Sequence, residues 1–328
     1  MLGGSEMKVV LISPNFFNLS TLIHDEIVRQ GNECKWFDDR ISSSFITRAV
    51  LRLKPSLLKS KILKYFQIIS DYCIMNKPDK IICIYGQSFT GERFKQLKQK
   101  LPTTEFVFYS WDSAEIYPII KGKFDVFDRC YSFDTADVEK YKINFLSLFY
   151  SYSESLECKK NYDFSFLGTI KKGKYPLVMS INNQLSKKYS SSFVYRYLQS
   201  RFVYFYYKLK DPEFKKARRK EFKYKRLPSS IANEIFLGSK IIIDVSRSDQ
   251  NGLTIRTFDA LRLKKKLITN NQNIKKYPFY CPDNIYVYDG GQIDFNSSFF
   301  KNGFNEKYAL GDEYSLQHFV KILLGGEK

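Results

Sequence analysis

The stretch Ser246-Arg-Ser-Asp-Gln-Asn-Gly-Leu-Thr-Ile-Arg-Thr-Phe-Asp-Ala-Leu261 follows a strand-like run, Lys240–Val245, and precedes another, Lys266–Thr269. Gly252 permits a tight turn, and Thr254 can begin a helix whose first amides have no partner inside the helix. Unpaired amides and the helix dipole both favour negative charge, so this turn is a candidate phosphate site. Arg256 adds a guanidinium that can grip a diphosphate through two parallel hydrogen bonds. Asp259, about one and a half turns further on, can accept hydrogen bonds from ribose hydroxyls. The same residues also read as an ordinary strand–turn–helix unit, which one glycine does not rule out. A further carboxylate, Asp112, follows a strand in Trp111-Asp112-Ser113. Beside an indole its pKa would rise towards that of a general base, and a helix N-cap is the alternative role.

Other chemistries are thinly represented. His24 and His318 are too few for a multi-histidine zinc site, and no DxD pair is available to hold Mg²⁺ against a diphosphate. Metal-independent chemistry without a cofactor is expected. His24 falls within a helical pattern, Leu22–Ile27, and reads as structural. The GxxxxGK(S/T) and GxSxG patterns are absent, which removes P-loop nucleoside triphosphatases and α/β-hydrolases.

The 53 Lys and Arg against 34 Asp and Glu give a net charge of +19. Such an excess attracts anions: nucleic acid, acidic lipid or phosphorylated substrate. A coding bias towards Lys, Asn, Ile and Tyr would produce part of it without function. No RNA-binding signature occurs, so nucleic acid is not expected as a partner. Six cysteines without CxxC spacing point to a reduced, cytoplasmic setting. No apolar run approaches the roughly 20 residues that span a bilayer, and residues 1–6 read as a disordered tail rather than a signal segment.

At 328 residues the chain fits two domains. Its first half alternates short apolar runs with amphipathic stretches, the pattern of a parallel sheet covered by helices. Strands are expected near Lys8–Ser13, Glu33–Phe37, Lys80–Tyr85, Glu105–Ser110, Arg129–Phe133 and Asn144–Leu148, with helices around Leu19–Gln30 and Leu57–Met75. Gly31 falls where the first helix needs a left-handed cap. After the polar stretch Ser151–Asn161 a second series begins, with strands near Asp163–Leu167, Lys240–Val245, Lys266–Thr269 and Asn284–Tyr288. The expected domains are therefore 7–155 and 160–305, both Rossmann-like α/β and facing across a cleft, followed by a C-terminal helix within 306–328 that packs back towards the first.

Arg201 to Arg226 stands apart, joining Phe202, Tyr204, Phe205, Tyr206 and Tyr207 to a dense basic run that includes Lys215, Lys216, Arg218 and Arg219. It reads either as a segment lying on an anionic membrane or as a solvated face covering the second sheet.

The turn and helix around Gly252 look like the donor-binding motif of GT-B glycosyltransferases, in which a helix carries an acidic residue followed by Ala; here that pair is Asp259-Ala260. The likeness is greatest to a branch that builds lipopolysaccharide, O-antigen and capsule, including the CgeB-like proteins. Its phrases appear in order as Trp111-Asp112-Ser113, Tyr131-Ser132-Phe133-Asp134, Tyr162-Asp163-Phe164-Ser165-Phe166-Leu167-Gly168-Thr169 and Ser239-Lys240-Ile241-Ile242-Ile243-Asp244, then the stretch from Gly252 to Leu261. Together they cover most of residues 80–290. The resemblance implies a GT-B fold and a sugar donor held by Asn251, Gly252, Leu253, Thr254, Arg256 and Asp259. It also implies a phosphate-facing loop at Gly168 and Thr169, followed by Lys171, Lys172 and Lys174. Many retaining members place a Glu eight positions before a second Glu. This chain has Asn251 and Asp259 there, so a retaining mechanism does not carry over.

On this reading a base in the first domain deprotonates an acceptor hydroxyl, with Asp112 the leading candidate. Asn15 in Ser13-Pro14-Asn15, and Gly86 and Gln87 in Tyr85-Gly86-Gln87-Ser88, line the acceptor side. The expected reaction moves a sugar from a nucleotide sugar to a glycan or lipid-linked glycan at the inner face of the membrane. A nucleotide-sugar epimerase on the same fold and a basic nucleic-acid-binding or membrane-surface protein are the rivals.

Overall fold

The computed structural model describes residues 6–15, 18–40, 58–152, 158, 161–171, 173–247 and 250–326. The chain divides into two compact units, residues 1–148 together with 315–328, and residues 149–314.

The first unit is built on a parallel sheet of six strands in the order β2-β1-β3-β4-β5-β6. They are β1 (Lys8–Ile12), β2 (Glu33–Phe37), β3 (Lys80–Ile84), β4 (Glu105–Ser110), β5 (Arg129–Ser132) and β6 (Asn144–Phe145). All five residues of β3 are buried, as expected of a strand covered on both faces. The run expected to continue to Leu148 pairs over only two residues, Tyr131 with Asn144 and Ser132 with Phe145.

Helices α1 (Leu19–Arg29), α2 (Lys59–Asn76), α3 (Gly91–Lys100), α4 (Lys121–Phe124) and α5 (Thr135–Tyr141) connect these strands. Gly31, at φ +83, donates its amide to the Val28 carbonyl and closes α1 as its position suggested. Asp134 caps α5 by accepting from the Ala136 amide at 2.9 Å.

The second unit carries five parallel strands in the order β11-β10-β9-β7-β8. They are β7 (Tyr162–Thr169), β8 (Ser192–Tyr197), β9 (Ser239–Asp244), β10 (Lys266–Thr269) and β11 (Ile285–Val287). Edge strand β8 was not expected. Its sequence, SFVYRY, lies mostly half-buried, so it lacks the continuous apolar run of a central strand. Around this sheet lie α6 (Lys174–Leu185), α7 (Arg201–Lys210), α8 (Ser229–Leu237), α9 (Ile255–Arg262) and α10 (Ser298–Lys301). Phe164, Phe166, Val178, Ile181, Ile243 and Ile268 form the centre of its core.

The chain ends in α11 (Leu316–Leu324), which belongs to the first unit. Ser315 caps its start by accepting from the His318 amide, and Gly325, at φ +106, closes it. Phe319 packs edge-to-face on Tyr109 at 4.8 Å. Arg129, paired with Glu105, donates to the Ile322 and Leu323 carbonyls at 2.9 and 3.0 Å. That contact adds a charged donor to the last carbonyls of the helix, where Ile322 also accepts from the Gly325 amide.

Candidate functional site

In the second sheet the chain runs outward from β7 to β8, then returns to the opposite side of β7 at β9 and continues to β10 and β11. Winding direction therefore reverses between β7 and β9, and the loops beyond the carboxyl ends of two such strands diverge. Gly168 and Thr169 end β7, Lys171 lies on the connection that follows, and Lys174 opens α6. Asn251, Gly252, Leu253 and Thr254 lie on the connection from β9 to α9. Topology thus brings the two sequence-predicted donor segments to one end of one sheet, each opening a helix. Lys172 lies outside the described residues.

The organising residue there is Asp244, the last of β9, whose side chain is 2% exposed. Its carboxylate accepts from Thr254 Oγ1 at 2.5 Å, Thr257 Oγ1 at 3.1 Å and Arg256 Nη1 at 2.9 Å. Two roles expected from the sequence change as a result. Thr254 occupies the N-cap position of α9 without capping it through its side chain, and its hydroxyl ties the helix to β9 instead. Arg256 is ion-paired within the protein, so it can offer a phosphate only the part of its guanidinium that Asp244 does not hold.

Lys174, the first residue of α6, sits among the same groups. Burial pushes its pKa down to about 8; Asp244 opposes the shift, and Arg256, Lys171 and Arg247 reinforce it. Among the described residues, Asp244 and the cations Lys171, Arg247 and Arg256 thus act on Lys174 beside two helix starts. Positive groups beside helix starts favour an anion.

A pair of asparagines just after β10 shapes the loop and was missed in the sequence. Asn270 Oδ1 accepts from the Ser246 amide at 2.8 Å, and Asn270 Nδ2 donates to the Ser246 carbonyl at 3.2 Å. Asn271 Nδ2 donates to the carbonyls of Asn251 and Gly252 at 3.1 and 3.2 Å. Both ends of the loop are thereby pinned, with Gly252 and Leu253 buried. The available signal was an Asn-Asn dipeptide following a strand, where side-chain amides replace backbone partners.

Asp259 occupies a different setting from the one its spacing suggested. It is 7% exposed, and its carboxylate accepts from the Ser151 amide at 2.6 Å and the Ser151 hydroxyl at 3.0 Å. Burial raises its pKa to about 6. Its observed work is to fasten residue 151 to α9, and its oxygens are already engaged there.

The first sheet shows the same reversal between β1 and β3. The loops holding Asn15 and Gly86-Gln87 leave those two strands. Asn15 is exposed and its carbonyl accepts from Arg40 Nη2 at 2.7 Å. Tyr85 and Gly86 both have positive φ, +66 and +58. Asp39, which the sequence did not single out, reaches across and accepts from the Gln87 amide at 2.8 Å.

Ser13 Oγ, Asp39 Oδ1 and Ser88 Oγ are buried without a hydrogen-bond partner among the described residues. Burial raises the Asp39 pKa to about 7, and Lys123, itself lowered to about 8 by burial, opposes that shift. Three unpaired polar atoms beyond adjacent strands mark a place with unmet hydrogen-bonding capacity, since each costs about 1–3 kcal/mol.

Gly86 is where this loop is least tolerant. A Cβ there would lie 2.7 Å from Cys83 Sγ and 3.1 Å from Lys123 Cε, on a backbone with positive φ. Gly86→Ala is expected to destabilise the protein by about 2–4 kcal/mol through strain and overpacking, read as a lower denaturant midpoint. An unchanged midpoint would show that the loop is pliable.

Asp112 follows β4. Ser110 Oγ donates to its carbonyl at 2.5 Å and accepts from its amide at 3.4 Å. The N-cap alternative does not apply, because residues 111–117 form turns and the next helical turn starts at Pro118. The buried Tyr85 phenol has its pKa raised by burial and then by the Asp112 carboxylate, which places the two groups close together. Tyr85 also packs beside Trp111 and edge-to-face on Tyr117.

Two doubly wound parallel sheets, each with its loops gathered at a reversal point, define the GT-B class of fold with two Rossmann-like domains. Solved structures bear this out. The lipopolysaccharide outer core galactosyltransferase WaaB in its apo form superposes with a TM-score of 0.51 at 14% identity, over 97% of this chain and 94% of its own. Anabaena HepE in complex with UDP and glucose gives 0.55 at 9% identity, over 97% and 95%. The UDP-GlcNAc 2-epimerase from Methanocaldococcus jannaschii gives 0.54 at 10% identity, over 98% and 100%. No family model and no curated protein matches the sequence.

Proposed function

We propose that this chain is a glycosyltransferase that moves a sugar from a nucleotide-diphosphate donor to a hydroxyl of a growing bacterial surface glycan of the lipopolysaccharide, O-antigen or capsule type. The observation that carries this reading is the cluster of Lys174, Lys171, Arg247 and the Asp244-paired Arg256 at the reversal point of the second sheet. A departing nucleoside diphosphate concentrates negative charge, and positive groups already fixed in place stabilise it with little reorganisation. Lys171, Lys174, Arg247 and Arg256 supply that charge, so the reading requires no metal. The amides of the turn at Asn251 to Thr254 would meet the phosphates, with Gly168 and Thr169 ending β7 beside them.

HepE is described with UDP and glucose, and the archaeal protein acts on a UDP-sugar, which supports a nucleotide sugar as the ligand of this fold. On the acceptor side Asp112, with Asn15, Gly86 and Gln87, lies where an acceptor hydroxyl would approach the first sheet. Ser13, Asp39 and Ser88 offer the hydrogen-bonding capacity that a sugar acceptor would use.

Thermal shift against a panel of nucleoside diphosphates and their sugars should reveal a stabilising ligand, because binding to the native state alone raises the melting temperature. Product analysis with and without acceptor then separates transfer from epimerisation, which releases a free nucleotide sugar. A panel in which no nucleotide shifts the melting temperature would remove this reading.

Lys174 supplies a pH test. Its pKa is about 8 in the unliganded site, and a bound diphosphate raises it. Below pH 8 the ammonium is present before and after binding, whereas above it binding must take up a proton. Affinity for UDP is expected to fall by up to about tenfold per pH unit above 8 and to level off below it. Isothermal calorimetry at pH 7, 8 and 9 measures this, and a flat profile would mean that Lys174 does not meet the phosphates.

A further inference from the structure

Residues 201–226 carry eleven Lys and Arg against three Asp and Glu, a net excess of eight within a chain of net charge +19. The structure divides this segment in a way its composition did not show. Tyr204, Phe214 and Phe222 are 6%, 0% and 4% exposed and belong to the core of the second unit. Phe202, Phe205, Tyr206 and Leu209 stand on the other side of α7, at 86%, 53%, 60% and 80% exposure. Their spacing of three, four and seven residues places them in one stripe of the helix. These four are half of the large apolar side chains left exposed among the described residues, and the others, Val28, Ile68, Met75 and Ile231, do not share their helix.

Helix α7 is firmly built. Ser200 caps its start by accepting from the Val203 amide at 3.2 Å, and the Tyr204 hydroxyl donates to the Ala217 carbonyl at 3.0 Å. The outward stripe is therefore a fixed feature of a docked helix. On the same helix and in the turns that follow it, Arg201, Lys210, Lys215, Lys216, Arg219 and Lys220 are exposed. Two of the three acids are occupied within the protein. Asp211 is buried and accepts from the Glu213 amide, and Glu221 accepts from the Tyr175 hydroxyl and pairs with Arg218. Within this segment the apolar stripe is thus accompanied by cations with little opposing charge.

We propose that α7 and the basic residues after it form a docking surface for an anionic lipid bilayer. The helix lies in the plane of the membrane, its stripe set into the acyl boundary and its cations among the headgroups. Ten residues span about 15 Å, far short of a bilayer crossing. A second copy of the chain is a poor occupant, because two such patches would face each other with like charge. Single-stranded nucleic acid is recognised by stacking on aromatic faces, and Leu209 offers none. The proposal does not depend on the nucleotide-sugar reading.

Sedimentation with phosphatidylcholine vesicles, with and without about one third phosphatidylglycerol, tests it. The full chain is expected to sediment with the anionic vesicles and not with the neutral ones. Phe202→Ser with Leu209→Ser should weaken that partitioning at least about tenfold, because two large apolar groups no longer leave water. Their melting temperature should stay unchanged, since both side chains are already exposed. Neutralising Lys215, Lys216 and Arg219 to Gln should weaken it by about tenfold or more as well. Neutralising Lys59, Lys61 and Lys95, exposed in the first unit, should change it less than about twofold, which separates this patch from net charge alone. Equal partitioning of the serine variant and the parent chain would overturn the proposal. So would a lipid-independent dimer that the serine substitutions convert to monomer in analytical ultracentrifugation.

Discussion

Lys174→Met combined with Arg256→Ala is expected to weaken UDP binding by about 10²- to 10⁴-fold. Each charge-assisted contact to phosphate contributes about 1.5–3 kcal/mol, and the double variant removes two. The single variants guard against a trivial explanation, because their effects on stability should have opposite signs. Burial disfavours the Lys174 ammonium in the folded protein, so Met at that position relieves a cost below pH 8 and leaves stability equal or higher. Arg256→Ala takes a partner from the buried Asp244 carboxylate and lowers stability. Loss of binding in both, with melting temperatures moving apart, can come only from the phosphate contact. Calorimetry showing parent-like affinity in the double variant would place the nucleotide elsewhere.

The second large effect concerns Asp244 itself. Asp244→Ala is expected to destabilise the protein by about 3–5 kcal/mol, because a buried ion pair broken on one side leaves its partner uncompensated. Here the abandoned groups are the Arg256 guanidinium and the hydroxyls of Thr254 and Thr257, all at the start of α9. Asp244→Asn keeps an acceptor oxygen but loses the charge opposite Arg256 and Lys174, and should cost less than Asp244→Ala. Chemical denaturation measures both. A cost for Asp244→Ala below about 1 kcal/mol would show that the α9 junction holds without its carboxylate. Because Asp244 fixes the junction rather than meeting the phosphates, its effect on nucleotide affinity should track the loss of structure.

The contrast between Asp259 and Lys174 shows how site roles escape a linear reading. Asp259 sits at a plausible distance from the turn, yet its carboxylate is taken by Ser151, which lies 108 residues away. Lys174 looked like one of several lysines in a loop. Its character comes from the convergence of α6 with the ends of β9 and α9, which brings Asp244, Arg256 and Arg247 around it. Asp39 likewise acquires its place by reaching Gln87, 48 residues on.

What the sequence determined by itself was the layer pattern. The central parts of runs such as Lys80-Ile-Ile-Cys-Ile84 and Ser239-Lys-Ile-Ile-Ile-Asp244 are continuous and apolar because strands covered on both faces bury successive side chains. Alternation with helical stretches then dictates parallel, doubly wound sheets, and the residues just after each strand are the ones available for binding. The half-buried edge strand β8 fell outside that logic, since its period carries no strong apolar signal. Tertiary structure alone decided which of those loops meet. Strand order placed the reversals between β7 and β9 and between β1 and β3, and so selected the partners of Asp244, Lys174 and Asp39. Hydrophobic periodicity is a local property of the chain, whereas a hydrogen-bond partner or a shifted pKa depends on which distant segments the sheet sets side by side.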